Sequence, residues 1–89
     1  MTIHFVYAIT NENKSRIYVG MTNNVERRVK EHNAGKQRST KSYRPWHLFH
    51  FEAYHSRGEA HKREIYLKSG SGKEFLKDVL KKGAYSSDG

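Results

Sequence analysis

Two runs of β-branched and aromatic residues open the chain, residues 3–10 (Ile-His-Phe-Val-Tyr-Ala-Ile-Thr) and Ile17-Tyr18-Val19. The polar, turn-forming stretch Asn11-Glu12-Asn13-Lys14 separates them, so the segment predicts a β-hairpin. With the loop centred between Glu12 and Asn13, Tyr7 is expected opposite Tyr18, Val6 opposite Val19 and Phe5 opposite Gly20. Opposed residues project to one face, which sets two phenol hydroxyls on a single patch of sheet. Gly20 then leaves a gap at the end of that patch where a ligand could approach. Ordinary strand aromatics would give the same pattern, and the hairpin alone does not choose between the two readings.

Beyond the hairpin the period changes from two to 3.6. Asn23 or Asn24 can cap a helix in which Val25, Val29 and His32 form one inward stripe, and Gly35 ends it. Arg28 and His32, four apart, are neighbours at the border of that stripe, while Arg27 and Glu31 fit a solvated ion pair. Residues 36–44 read as a loop with four cations and no acid, and Pro45 leads into a third strand, Trp46 to Tyr54. Its alternation predicts Phe49, Phe51 and Ala53 on one side and Leu48, His50, Glu52 and Tyr54 on the other. Ser56-Arg57-Gly58-Glu59 is a capping box opening a second helix, in which Ala60, Glu64 and Leu67 share a face. Gly70 is expected to close that helix. Ser71-Gly72-Lys73-Glu74 then caps a third, with Phe75, Leu76, Val79 and Leu80 as its apolar face. The glycines here do not make a phosphate-binding loop, because Leu67 stands where the first glycine is needed and Glu74 where Ser or Thr is. The elements predict one α/β domain over 1–82, order β-β-α-β-α-α on a three-stranded antiparallel sheet, with 83–89 a frayed tail.

Charge narrows the function. Seventeen Lys and Arg against nine Asp and Glu give a net charge of +8 on 89 residues, which favours a polyanionic partner such as nucleic acid. Lys36, Arg38, Lys41 and Arg44 are interleaved with hydroxyls, as phosphate contacts require, and Lys68 and Lys73 add to them. A solvated mobile loop has the same composition. There is no cysteine, so disulfides, thiolate nucleophiles and zinc–thiolate sites are excluded, and no histidine pair has metal-ligand spacing. Apolar runs fall short of membrane-spanning length and no leader pattern opens the chain, so the expected location is the cytoplasm, with no membrane partner. Glu64 on an inward stripe is either a surface partner for Lys68 or a metal ligand.

Val6-Tyr7, Tyr18-Val19-Gly20, Arg28 within Glu-Arg-Arg-Val-Lys-Glu-His and Glu64 within Glu-Ile-Tyr-Leu-Lys together resemble the GIY-YIG nuclease superfamily. Arg44-Pro45-Trp46 and Lys68-Ser69-Gly70 are similar to its small stand-alone members, related to the N-terminal domain of the excinuclease C subunit. The resemblance implies a metal-dependent endonuclease hydrolysing DNA phosphodiester bonds, in DNA repair or recombination. Tyr7, Tyr18, Arg28, His32 and Glu64 match its catalytic positions, with Glu64 holding Mg²⁺ or Mn²⁺. Many members carry an asparagine where this chain has Leu76, so Lys68, Ser69 or Lys73 is left to complete the site. One well-placed carboxylate fits a single metal rather than two. Arg28 would neutralise the non-bridging oxygens, and Tyr7 would be the base, its pKa drawn down by nearby cations, with Tyr18 or His32 the alternatives. DNA is the expected partner, RNA the second, and a protein partner could supply specificity. The other readings are a non-catalytic nucleic-acid-binding module and an accessory domain docking on a repair protein.

Overall fold

The computed structural model describes residues 2–82. Strand β1 (His4–Thr10) lies between β2 (Ile17–Thr22) and β3 (His47–Tyr54) in an antiparallel sheet of order β2-β1-β3. Helices α1 (Val25–Asn33) and α2 (Arg38–Lys41) join β2 to β3, and α3 (Arg57–Lys68) and α4 (Gly70–Lys82) follow. The expected three-stranded α/β architecture is present. The segment 36–44 is not wholly a loop, however, since α2 lies within it and makes four helices among the described residues where three were expected. The expectation for 83–89 lies outside the described residues.

A central strand covered on both faces has to read as a continuous apolar run, as β1 does. Val6 and Ala8 face a core of Val19, Phe49, Ala60, Leu67, Leu76 and Leu80, while Tyr7 and Ile9 face Trp46, with Tyr18, Val25 and Val29 packed alongside. One face therefore carries α3 and α4, and the other carries α1.

The hairpin register differs from expectation by two residues, with Tyr7 opposite Gly20, Ala8 opposite Val19 and Ile9 opposite Tyr18. The cause is a longer loop. The Lys14 N–H donates to the Asn11 carbonyl at 3.1 Å, and Lys14 adopts φ 60°. Asn11 Oδ1 then takes the Arg16 N–H at 2.9 Å, which draws Ser15 and Arg16 out of the strand. A shift of two preserves every side chain's face, so the tyrosines still share a patch, diagonally rather than directly opposed.

Strand β3 starts at His47, not Trp46, and its alternation breaks at a bulge between the pairs Ala8–His50 and Ile9–Leu48. The bulge turns Phe49 into the core, while Phe51, paired with Tyr7, stays 55% exposed on the opposite face. Phe49 and Phe51 thus part company, contrary to simple alternation. Glu52 is on the α3 side, where Arg63 donates to both its oxygens at 2.9 and 3.1 Å and Tyr54 donates at 2.6 Å. Burial pushes its carboxyl up, yet the hydrogen bonds from Arg63, Tyr54 and His50 outweigh burial and hold it down at about 2. A folded value below the unfolded one stabilises fully above about pH 5, and the gain is lost as pH falls toward 2. Glu52→Gln should therefore lower stability at pH 7 by up to about 3 kcal/mol and flatten the acid limb of the Tm profile. An unchanged acid limb would refute this role.

Asn24 caps α1 by accepting the Arg27 N–H, and Ser56 caps α3 by accepting that of Glu59. Helix α4 begins two residues earlier than expected. Ser69, at ψ 172°, makes the break, and its Oγ accepts the Gly72 N–H at 3.3 Å, so α4 already includes Gly70. Ser71 and Glu74 therefore do not form the cap. Gly72 is where the helices meet, and a Cβ there would lie 2.0 Å from the Tyr66 carbonyl oxygen and 2.4 Å from the Leu67 Cα. Backbone cannot move aside as a rotamer can, so Gly72→Ala should cost about 3 kcal/mol, read as the denaturation midpoint. A change under about 0.5 kcal/mol would contradict this packing.

Candidate active site

Tyr7 projects from the centre of β1 and is 1% exposed. Its room comes from Gly20 on β2, where a Cβ would stand 2.6 Å from the Tyr7 hydroxyl. The gap expected beside Gly20 is thus filled by the chain's own phenol. The Tyr7 and Tyr18 ring centroids are 6.3 Å apart, and the His32 ring lies 5.9 and 4.8 Å from them respectively. His32 reaches this point because it ends the Val25–Val29 stripe of α1, as the periodicity implied.

A directed chain of hydrogen bonds runs from Tyr7. The hydroxyl meets His32 Nε2 at 2.8 Å, and His32 Nδ1 meets Thr40 Oγ1 at 2.9 Å. The Thr40 hydroxyl donates to the Gln37 carbonyl at 3.3 Å, which commits its only proton. With the Thr40 proton placed there, Thr40 accepts from Nδ1–H, and the matching tautomer leaves Nε2 unprotonated to accept from Tyr7. Burial, with Arg28 beside it, holds His32 below the usual imidazole range, so the ring is neutral at pH 7. Burial likewise pushes the Tyr7 phenol up to about 12, Tyr18 and Glu64 adding to the push and Arg28 opposing it. This reverses the sequence expectation that nearby cations lower the Tyr7 pKa, because the phenol is enclosed and its one cationic neighbour is outweighed.

Gln37 ties together the other two members. Its Nε2 donates to the Tyr18 hydroxyl at 2.9 Å, and its Oε1 accepts from Arg28 Nη2. Arg28 Nη1 also donates to Glu31 at 2.8 Å, which raises the arginine's pKa and keeps it cationic. Glu31 was expected to pair with Arg27. It does so only at 3.8 Å, and Arg28 is the closer partner. Glu64 lies on the inward stripe of α3 with a side chain 16% exposed, and Lys68 Nζ is 3.1 Å away. The surface-pair and inward-carboxylate readings therefore hold together. Among the described residues no group of three His, Cys, Asp or Glu side chains is clustered for a metal.

The family model described as the GIY-YIG catalytic domain matches residues 3–77, a span that includes every residue of this cluster. The chain belongs to the GIY-YIG family. It is 41% identical over 80 residues to a UPF0213 protein of Staphylococcus haemolyticus, covering 89% of this chain and 96% of that one. A UPF0213 protein of Haloquadratum walsbyi is 43% identical over 67 residues, 74% of each chain. The solution NMR structure of a UPF0213 protein from Bacillus halodurans superposes with a TM-score of 0.52 at 34% identity, covering 86% of this chain and 84% of the other.

Within this GIY-YIG domain Tyr7, Tyr18, Arg28 and His32 are joined directly or through Gln37, whereas Glu64 pairs with Lys68 and enters only as a lesser upward push on the Tyr7 phenol. Leu76, where an asparagine was the expected feature, is fully buried in the core and packs rather than faces the site. Lys36, Arg38, Lys41 and Arg44 are exposed, as is Lys68. Lys73 stands apart from them, lining a cavity with the hairpin tip. The sequence does not mark Gln37 and Thr40, because a polar loop of Gln, Ser and Thr looks like solvent-facing residues until α2 folds Thr40 inward. Trp46 fixes that fold: its Nε1–H donates to the Thr40 carbonyl at 2.7 Å, and Asn33 holds its backbone on both sides at 2.6 and 3.0 Å.

Proposed function

We propose that this GIY-YIG chain is a cytoplasmic endonuclease that hydrolyses nucleic-acid phosphodiester bonds, DNA first and RNA second, with Tyr7, Tyr18, Arg28, His32 and Glu64 as its site. The observation that supports this most is the Tyr7–His32–Thr40 chain, a buried acid–base pair through which a proton can pass from the phenol to the imidazole. Water attacks phosphorus while its proton passes to Tyr7 Oη and the Tyr7 proton passes to His32 Nε2. The ester P–O bond breaks and the leaving oxygen is protonated from solvent. Arg28, cationic and linked to Tyr18 through Gln37, is suited to charge gathering on the non-bridging oxygens.

Mg²⁺ accepts one carboxylate together with substrate phosphate and water, and Glu64, inward yet not closed off, fits that donor set. A divalent cation held there would stabilise the phosphate and the leaving oxygen and offset the upward push of Glu64 on Tyr7. The exposed cations of residues 36–44 would hold the backbone without reading bases. Among the described residues no helix is long and apolar enough to cross a membrane. Repair or recombination is the pathway class this activity would serve, with a protein partner as the source of specificity.

Tyr7→Phe tests the proton path, since it keeps the ring and removes only the hydroxyl. Single-turnover cleavage should fall about a hundredfold with nucleic-acid binding retained. The wild-type rate should also fall on acidification below the usual imidazole range, as His32 takes a proton and can no longer accept one from Tyr7. Undiminished cleavage by Tyr7→Phe would remove Tyr7 as the base.

A further inference from the structure

Five cationic side chains line one cavity of about 610 Å³, Lys14 and Arg16 from the hairpin tip and Lys73, Lys77 and Lys81 from α4. Ser15, Ile17 and Leu80 complete its lining, and no acidic residue is among them. The three lysines recur every four residues, so they form one stripe, about 6 Å between neighbours and about 12 Å end to end. Like charges at that spacing weaken a helix. The nearest compensation is Glu74, 3.8 Å from Lys77 with both side chains well exposed, a geometry that contributes little. A helix face that costs stability and lines an acid-free cavity is complementary to an anion with several charges.

The position points to which anion. Ile17 lines the cavity, and the next residue, Tyr18, belongs to the candidate active site on the other face of β2. Strand β2 is an edge of the sheet, so the cavity and the candidate site lie on opposite faces of an edge strand. The Arg16 guanidinium lies 4.4 Å from the Tyr43 ring centroid, which joins the hairpin tip to the basic segment 36–44. Arg16 therefore adjoins both the basic segment and the cavity lined by the α4 lysines. A track of about 12 Å spans three or four phosphates of one strand at about 3.4 Å of axial rise each.

We infer that α4 and the hairpin tip form a second phosphate-binding track, gripping the nucleic-acid backbone beyond the bond that is cut. The inference rests on the nuclease reading for the identity of its ligand. Being made of lysines and one arginine, the track contributes affinity and salt dependence without base preference.

The test compares two charge-matched triple variants of the full chain, with duplex DNA in chelator and anisotropy measured from 50 to 200 mM salt. One carries Arg16→Gln, Lys77→Gln and Lys81→Gln. The other removes three exposed cations elsewhere, Lys30→Gln, Arg57→Gln and Lys62→Gln. The track variant should lose about 2 to 3 units from the slope of log K against log salt, and the control under about 1. Melting temperatures of both variants establish that they are folded. Equal slope changes in the two would overturn the track and leave the nuclease reading standing. Failure of the wild type to bind duplex, single strand or RNA would overturn both. Retention on phosphatidylserine vesicles without duplex binding would overturn the track in favour of a lipid surface.

Discussion

Glu64→Gln should lower single-turnover cleavage by about 10³-fold or more while the protein stays folded and still binds DNA. The size follows from what a cation at this carboxylate is asked to supply, several kcal/mol of stabilisation for the phosphate and the leaving oxygen, with each 1.36 kcal/mol worth tenfold. The fold survives because glutamine keeps the shape, and the pair it breaks is a helical i,i+4 contact with Lys68 at 3.1 Å, Lys68 being 53% exposed. Such pairs contribute about 0.2–0.5 kcal/mol, so Tm should move by only a few degrees. Mg²⁺ affinity measured by titration should fall, and DNA affinity in chelator should hold or rise slightly, since a negative charge leaves a phosphate site. Full activity with unchanged Mg²⁺ binding would leave Glu64 as nothing more than a partner for Lys68.

Arg28→Ala should reduce cleavage by about 10²- to 10³-fold, and Arg27→Ala by less than about threefold. The two arginines are adjacent in sequence but differ in what they touch. Arg27 is 59% exposed and bonds to Asn23, whereas Arg28, 31% exposed, reaches Glu31 and Gln37 and lies against Tyr7. Arg28→Lys should recover little, because an ammonium cannot span Glu31 and Gln37 or make a bidentate phosphate contact. Gln37→Ala separates a direct role from a positional one. It frees the Tyr18 hydroxyl and one Arg28 nitrogen while leaving the guanidinium in place, so its loss should be smaller than that of Arg28→Ala. Equal losses from Arg27→Ala and Arg28→Ala would show that the face of α1 is misassigned.

The residues of the proposed site can be picked out from the sequence because each sits in an element whose period is strong. Tyr7 and Tyr18 lie in apolar strands, His32 closes a valine stripe, and Glu64 interrupts an otherwise apolar face. What sequence could not supply were the positions set by single backbone choices. The φ of Lys14 lengthens the hairpin loop and shifts the pairing by two, which moves Gly20 from Phe5 to beneath Tyr7. The bulge at Phe49 likewise reverses the faces of the following residues of β3. Gln37 and Thr40 were hidden for another reason. Their partners are 19 and 8 residues away in sequence, and only the folding of α2 brings them together. The direction of the Tyr7 shift depended on burial, which composition does not report.

The most direct measurement is cleavage of supercoiled plasmid, branched DNA, single-stranded DNA and RNA by the purified chain, with Mg²⁺ or Mn²⁺ and with chelator, beside Glu64→Gln prepared identically. The account predicts nicking or strand cleavage of at least one of these that needs the metal, stops with chelator and is absent from the variant. A folded wild-type protein that binds these nucleic acids but cuts none, or a Glu64→Gln variant that cuts as well as the wild type, would contradict it.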